Sequence, residues 1–219
     1  MKRKVAVLAG TTTDTRMGAE YLTSRGGEFA PLEYPVSRDP QEQTVFQISS
    51  ESEKERVLSA IFDDAINKGT EDFFVYCNSL SASFDFESFA EIRNVKVFTP
   101  MQVYRKTATE LKKAAVIAAN NQSLAGIEKV MMGENPELEL IGACSLSLVK
   151  AVERKENPQK IVGDFRLKDL LGFFIGSGAS CLILGCTHFP YFKTELEAIC
   201  SLTILDPSEE MYRNLLSCP

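Results

Sequence analysis

Cys181-Leu182-Ile183-Leu184-Gly185-Cys186-Thr187-His188-Phe189-Pro190 decides how this chain is read. A short apolar run leads straight into a thiol, and polar, helix-opening residues follow. Such a run reads as a parallel strand buried on both faces, with Cys186 at its carboxyl tip. The same arrangement occurs about half the chain earlier, where Phe73-Phe74-Val75-Tyr76 leads into Cys77-Asn78-Ser79. Two such elements suggest two similar half-domains, each presenting one sulfur to a shared cleft. A pair of opposed thiols is suited to removing a proton from one face of a carbon and returning one to the other.

Outward from these segments, strand and helix patterns alternate almost throughout, which predicts an α/β fold with mainly parallel strands. In the first half, Val5 to Ala9 reads as a strand and Gly10 to Asp14 as a hydroxyl-rich turn. A helix is expected from Arg16 to Ser24, stopped by Gly26-Gly27. Phe29 to Val36 is extended and ends in a loop rich in Pro, Ser and Asp. From Glu51 to Asn67 apolar residues recur at helical spacing, and Gly69 closes the helix. A helix from Ser83 to Ile92 and a strand from Val95 to Phe98 complete this half.

Thr99-Pro100 is the best boundary, because proline ends the strand and primes the next helix. The alternation then restarts: helix from Val103 to Lys113, strand from Ala114 to Ala118, helix from Leu124 to Met131, strand from Leu138 to Gly142. Helices from Leu146 to Lys155 and Leu167 to Ile175 precede the Cys186 strand. A helix from Tyr191 to Cys200, a strand from Leu202 to Leu205 and a helix after Asp206-Pro207-Ser208 follow. The expected architecture is two similar three-layer α/β domains with mainly parallel sheets facing a shared cleft. Residues 1–98 with 206–219 would carry Cys77, and residues 99–205 would carry Cys186.

The 219 residues, 44% hydrophobic and 25% charged, are enough for a sizeable core. A net charge of −6 with scattered basic residues argues against a nucleic acid or an anionic membrane as partner. After Met1-Lys2-Arg3-Lys4 the apolar run is too short for a signal peptide or a membrane span. A cytoplasmic location is the expectation. Six cysteines in that setting are not expected to form disulfides. Cys181 and Cys200 read as small buried hydrophobes, Cys144 as the start of a helix, and Cys218 lies near the terminus. With one histidine and no Cys-x-x-Cys pair, a structural zinc site has little support.

Ligands of such sheets sit beyond the carboxyl ends of strands, where both marked cysteines fall. Cys186 and His188 are the first candidates for catalysis, with Thr187 between them. A buried cysteine beside a satisfied histidine is the plain alternative, weakened because His188 is the only histidine and lies in a loop. Cys77 is the second candidate: Asn78 and Ser79 offer side-chain donors and the amides behind them can hold a carboxylate at a helix start, although an ordinary helix cap explains this segment better when taken alone. Gly10, Thr11 and Asp14 could cradle an anionic group or simply open the next helix. Asn120 holds the corresponding place in the second half, where turn chemistry explains it equally well. A Cys/His hydrolase is the rival, weakened by the expectation that residues two apart across a strand-to-helix turn do not face each other.

These residues resemble a known family. Leu182 to Pro190 looks like the second catalytic-cysteine signature of glutamate racemases, in the aspartate/glutamate racemase superfamily. Tyr76-Cys77-Asn78-Ser79 looks like the first, and Ile204 to Glu210 is similar to the segment that begins the closing helix. The resemblance implies a cofactor-independent racemase of an acidic amino acid, glutamate before aspartate, built from two pseudo-symmetric domains and forming a homodimer. It implies that Cys77 and Cys186 exchange the roles of base and acid, that His188 assists Cys186, and that Asn78, Ser79 and Thr187 hold the substrate. It also implies a D-glutamate product suited to cell-wall precursor synthesis. The sequence departs from the family after the first strand, where the family carries Asp-Ser-Gly and this strand runs into Ala9-Gly10-Thr11, with Asp14 as the nearest acid. The alternatives are a catalytically silent amino-acid-binding protein, or hydantoin racemase, decarboxylase or maleate isomerase chemistry.

Overall fold

The computed structural model describes residues 2–218 and divides the chain into two compact units, Met1–Pro100 with Ser208–Pro219, and Met101–Pro207. In the first unit the order is β1 (Arg3–Ala9), α1 (Thr12–Ser24), β2 (Phe29–Pro35), α2 (Pro40–Ile48), α3 (Glu51–Asn67), β3 (Asp72–Val75), α4 (Asn78–Ala82), α5 (Phe86–Ile92) and β4 (Lys96–Phe98). The second unit runs α6 (Pro100–Ala108), β5 (Lys113–Ala118), α7 (Asn121–Glu134), β6 (Glu139–Cys144), α8 (Leu146–Glu153), α9 (Pro158–Asp164), α10 (Leu167–Gly176) and β7 (Cys181–Gly185). A single 3₁₀ turn (Phe189–Phe192), α11 (Lys193–Glu197) and β8 (Thr203–Leu205) close it, and α12 (Pro207–Ser217) returns to the first unit.

Each unit is built on one four-stranded sheet, β2-β1-β3-β4 in the first and β6-β5-β7-β8 in the second. All pairings are parallel. The strand orders are equivalent, so β3 and β7 hold the same place, each beside the first strand of its unit. Between β1 and β3, and again between β5 and β7, the order of strands reverses. In open parallel sheets that point opens the crevice in which ligands bind.

The sheets are covered on both faces, which is why their central strands read as unbroken apolar runs. In the first unit Ala6, Leu8, Phe73 and Val75 pack with Leu58 and Phe62 of α3 and Phe89 of α5. Phe62 stacks on Phe73 with ring centroids 4.0 Å apart. On the opposite face α1 approaches closely enough that a Cβ at Gly18 would lie 2.8 Å from Val7 Cγ1 and Tyr76 Cβ. In the second unit Ala115, Ile117, Leu182 and Leu184 pack against Leu148, Ile161, Leu171 and Phe174. Ile127 of α7 comes up under Gly185 from the other side.

α3 spans the expected residues, and Gly69, at φ 78°, closes it. Other elements differ. α1 starts at Thr12 because Thr11 caps it, so the expected turn shrinks to Gly10 and Thr11. The expected loop after β2 contains α2, and α9 lies where no helix was expected. The helix expected from Ser83 to Ile92 starts later, at Phe86, because Asp85 caps α5 by accepting from the Ser88 N–H, and Ser83 instead ends the preceding α4. Cys144 ends β6 instead of opening a helix, and Ser145 caps α8.

Arg3 ties the ends of the first unit together. Its guanidinium donates to Asp72 at 2.5 and 2.7 Å and to the carbonyls of Leu215 and Cys218. Asp72 is buried, so an Arg3→Met change would strand its carboxylate and free the last turn of α12. We expect a loss of roughly 2–3 kcal/mol, read from urea unfolding midpoints.

Candidate active site

The first thiol lies at the carboxyl tip of β3. Cys77 is 5% exposed and caps α4, whose Ser81 hydroxyl donates back to the Cys77 carbonyl at 2.7 Å. Its sulfur is 3.4 Å from Ser79 Oγ and 3.5 Å from Gln43 Nε2. Gln43 Nε2 also reaches Ser79 Oγ at 3.0 Å, and Gln47 Nε2 reaches the same oxygen at 2.8 Å. Burial, helped by the Asp14 carboxylate, pushes the Cys77 thiol up to about 11, against the pull of Ser79 and the Leu80 and Gly10 amides. Cys77 is therefore held as a neutral thiol at physiological pH.

The β1 tip supplies the other side of this crevice. Gly10 leaves room for the α2 glutamine, since a Cβ there would lie 2.0 Å from Gln43 Nε2. Thr11 Oγ1 accepts from the Asp14 N–H at 3.3 Å, so part of its hydrogen-bonding serves α1. Asp14 itself is buried in the first turn of that helix. Asn78 is buried beside Cys77.

Gln43 contacts Cys77 and Ser79, and Gln47 contacts Ser79, but neither is disclosed by the sequence pattern, which reads their helix as loop. The signal was present in Asp39-Pro40, a capping residue followed by proline in the first turn. Asp39 Oδ1 accepts from the Gln41 and Glu42 amides at 2.8 and 3.0 Å.

The second thiol occupies the matching tip of β7. Cys186 is 6% exposed, Thr187 6% and His188 4%. Contrary to the sequence-based expectation, Cys186 and His188 do face each other, with Sγ 3.5 Å from Nδ1. The cause is a tight turn: the Phe189 N–H donates to the Cys186 carbonyl at 3.1 Å. The chain then enters a 3₁₀ turn instead of an α-helix, which puts both side chains on one side. On the far edge of the ring, Nε2 lies 3.6 Å from Glu153 Oε1, an ion-pair separation. The imidazole holds the Glu153 carboxyl below its ordinary value, with burial opposing. Glu153, at the end of α8, is another contact of this candidate site that the sequence did not disclose.

Asn120 sits at the tip of β5, the equivalent of the Gly10 region. Its Oδ1 accepts from the Ser123 N–H at 2.8 Å and so caps α7. The neighbouring Asn121 accepts from Cys144 Sγ at 2.7 Å. Fully buried Tyr104 lies close enough to Asp206 and Cys186 for their charges to add to the burial that raises its phenol. Among the described residues no helix is long and apolar enough to cross a membrane.

No protein-family model matches the sequence. No curated protein is detectably similar to it. Solved structures are similar at the level of fold. Glutamate racemase from Francisella tularensis, in complex with D-glutamate, aligns over 99% of this chain and 80% of its own, with TM-score 0.68 and 16% identity. Aspartate racemase from Picrophilus torridus aligns over 98% of this chain and 93% of its own, at TM-score 0.64 and 13% identity. An aspartate racemase homologue from Pyrococcus horikoshii aligns over 99% and 98%, at TM-score 0.69 and 13% identity. The equivalent sheets, the reversal points and the thiol at each third strand are thus set in the fold shared by the glutamate and aspartate racemases.

Proposed function

We propose that this protein is a cofactor-independent racemase of an acidic amino acid, with Cys77 and Cys186 as its two acid–base groups. The observation that carries this reading is the pair of buried thiols at equivalent tips of β3 and β7, the second backed by His188 and Glu153. In one direction the Cys186 thiolate takes the Cα proton of the substrate, and the Cys77 thiol gives its proton to the opposite face. The reverse direction exchanges the roles. The Cα proton becomes an S–H proton and the Cys77 proton becomes the new Cα–H, so the reaction leaves the net proton count unchanged.

A Cα–H is weakly acidic, so the negative charge must be held as it develops into the substrate carboxylate. Asn78 and Thr187 supply neutral donors for that task, while Ser79 is held by Gln43 and Gln47 beside the Cys77 sulfur. His188 is placed to take the Cys186 proton and return it, while the Glu153 carboxylate steadies the charge left on the ring. Cys77, held as a neutral thiol by its surroundings, suits the role of acid in the first encounter. The same Cys186–His188–Glu153 contacts would serve a hydrolase, but that reading gives no use to the second thiol.

Two observations bear on the substrate. The Leu182 to Pro190 signature and the D-glutamate held by the Francisella tularensis structure favour glutamate. A fold likeness of the same quality to the aspartate racemases keeps aspartate as the second candidate. Incubation with each enantiomer of both amino acids in deuterated water tests the proposal. Inversion with Cα deuterium uptake is expected for one of them. Decarboxylation or isomerisation products would replace this reading with another chemistry, and binding without exchange would leave only a silent binding protein.

A further inference from the structure

Ser79 fixes the direction of the hydrogen bonds around the first thiol. Its Oγ lies 3.0 Å from Gln43 Nε2 and 2.8 Å from Gln47 Nε2. A carboxamide nitrogen only donates, whereas a hydroxyl oxygen has two lone pairs and one proton. The two glutamines take both lone pairs, so the proton turns to another acceptor. The Cys77 sulfur, 3.4 Å away, is that acceptor. Gln43 Nε2 carries two hydrogens, and the one not directed at Ser79 faces Cys77 Sγ at 3.5 Å. The sulfur thus receives two side-chain donors from a network with a single polarity.

We propose that Gln43 is a positioning residue for the first thiol: its carboxamide fills the space that a side chain at position 10 would take, and it aims two donors at the Cys77 sulfur, one directly and one through Ser79. The proposal rests on reading Cys77 as a reacting group. Gly10 is what makes the arrangement possible, since a Cβ there would meet Gln43 Nε2 at 2.0 Å and Oε1 at 2.6 Å. Neutral donors suit this place. They stabilise a thiolate and offer no acceptor that would keep its proton. They also act against Asp14, whose carboxylate makes the thiolate harder to form.

Cys77 alkylation by iodoacetamide at fixed, mildly alkaline pH, followed on the Cys77 peptide by mass spectrometry, tests this, because only the thiolate reacts. Losing one donor to an ionised group shifts its pKa by about one unit, so Gln43→Leu should slow alkylation about tenfold. Gln43→Glu, which exchanges donors for a negative charge, should slow it further, and Ser79→Ala should slow it as Gln43→Leu does. A merely structural role predicts the opposite sign, since a loosened loop admits the reagent and speeds the reaction. Unchanged or faster alkylation in both Gln43→Leu and Ser79→Ala overturns the proposal. If Gln43→Leu does not fold, Ser79→Ala decides alone. The readout needs no turnover, so failure of the racemase assay and failure of this proposal remain separate results.

Discussion

Cys186→Ser should reduce racemisation in both directions by at least about a thousandfold, because a serine hydroxyl is a far weaker acid than a thiol and leaves the general acid–base step without its partner. Serine is close to cysteine in size and can still bond to His188, so the fold should survive and the loss should fall on chemistry. Cys77→Ser should have an equal effect. The two variants should differ in what they retain. Each keeps one base, so each should wash the Cα proton of one enantiomer into solvent without inverting it, and the enantiomer should be opposite in the two proteins. Chiral chromatography measures inversion, and proton NMR in deuterated water measures exchange. Wild-type racemisation in either variant would rule out the two-thiol scheme.

Stability should fall steeply between about pH 9 and 11. Burial raises Cys77 from 9.0 to about 11, and Cys181, at the start of β7, is raised from 9.0 to about 11 by the same cause. Below pH 9 both thiols are protonated in the folded and unfolded chains, and their full contribution is present. Above 9 the unfolded chain releases these protons while the native protein keeps them. The native state then binds more protons, and stability drops with rising pH until about 11. A rise from 9.0 to about 11 on each of the two thiols corresponds to a loss of about 5 kcal/mol in all. Urea midpoints across this range measure it. Cys181→Val removes one of the two groups at nearly constant volume and should about halve the slope. An unchanged slope would mean that Cys181 keeps its ordinary acidity in the fold.

The central strands and their thiol tips were legible in the sequence because they are buried on both faces. Residues such as Val5 to Ala9, with no exposed surface, leave an unbroken apolar run that few other structures produce. α3 was legible because Leu58, Phe62 and Ala65 form an apolar stripe and Ser50 and Gly69 mark its ends. α2 escaped because its pattern is poor: Val45 and Ile48 are exposed, so they do not add to a buried stripe. α9 is only one face of a crowded corner, with Ile161 as its buried anchor. In both, the capping residue and proline were visible, but loops favour the same residues.

At the site, local sequence named the residues but not what they touch. Cys186, Thr187 and His188 share one short segment, and the turn that folds His188 back on the sulfur depends on Phe189 and Pro190 entering a 3₁₀ turn. Gln43 reaches Cys77, and Glu153 reaches His188, from helices distant in sequence. Nothing in their local pattern distinguishes them from other charged or amide residues on a helix. Only tertiary packing selects them.

The return of α12 to the first unit has a consequence for synthesis on the ribosome. Tyr212 packs its ring against Tyr21 and Phe29 and donates to the Arg25 carbonyl at 2.8 Å, while Arg3 grips the carbonyls of Leu215 and Cys218. The amino-terminal sheet emerges first but lacks this covering until translation has passed the whole of the later unit. That unit, Met101–Pro207, is continuous in sequence and is fully synthesised before the rest of α12. Nascent chains should therefore gain protease resistance in the second-made half before the first-made half, reversing the usual vectorial order.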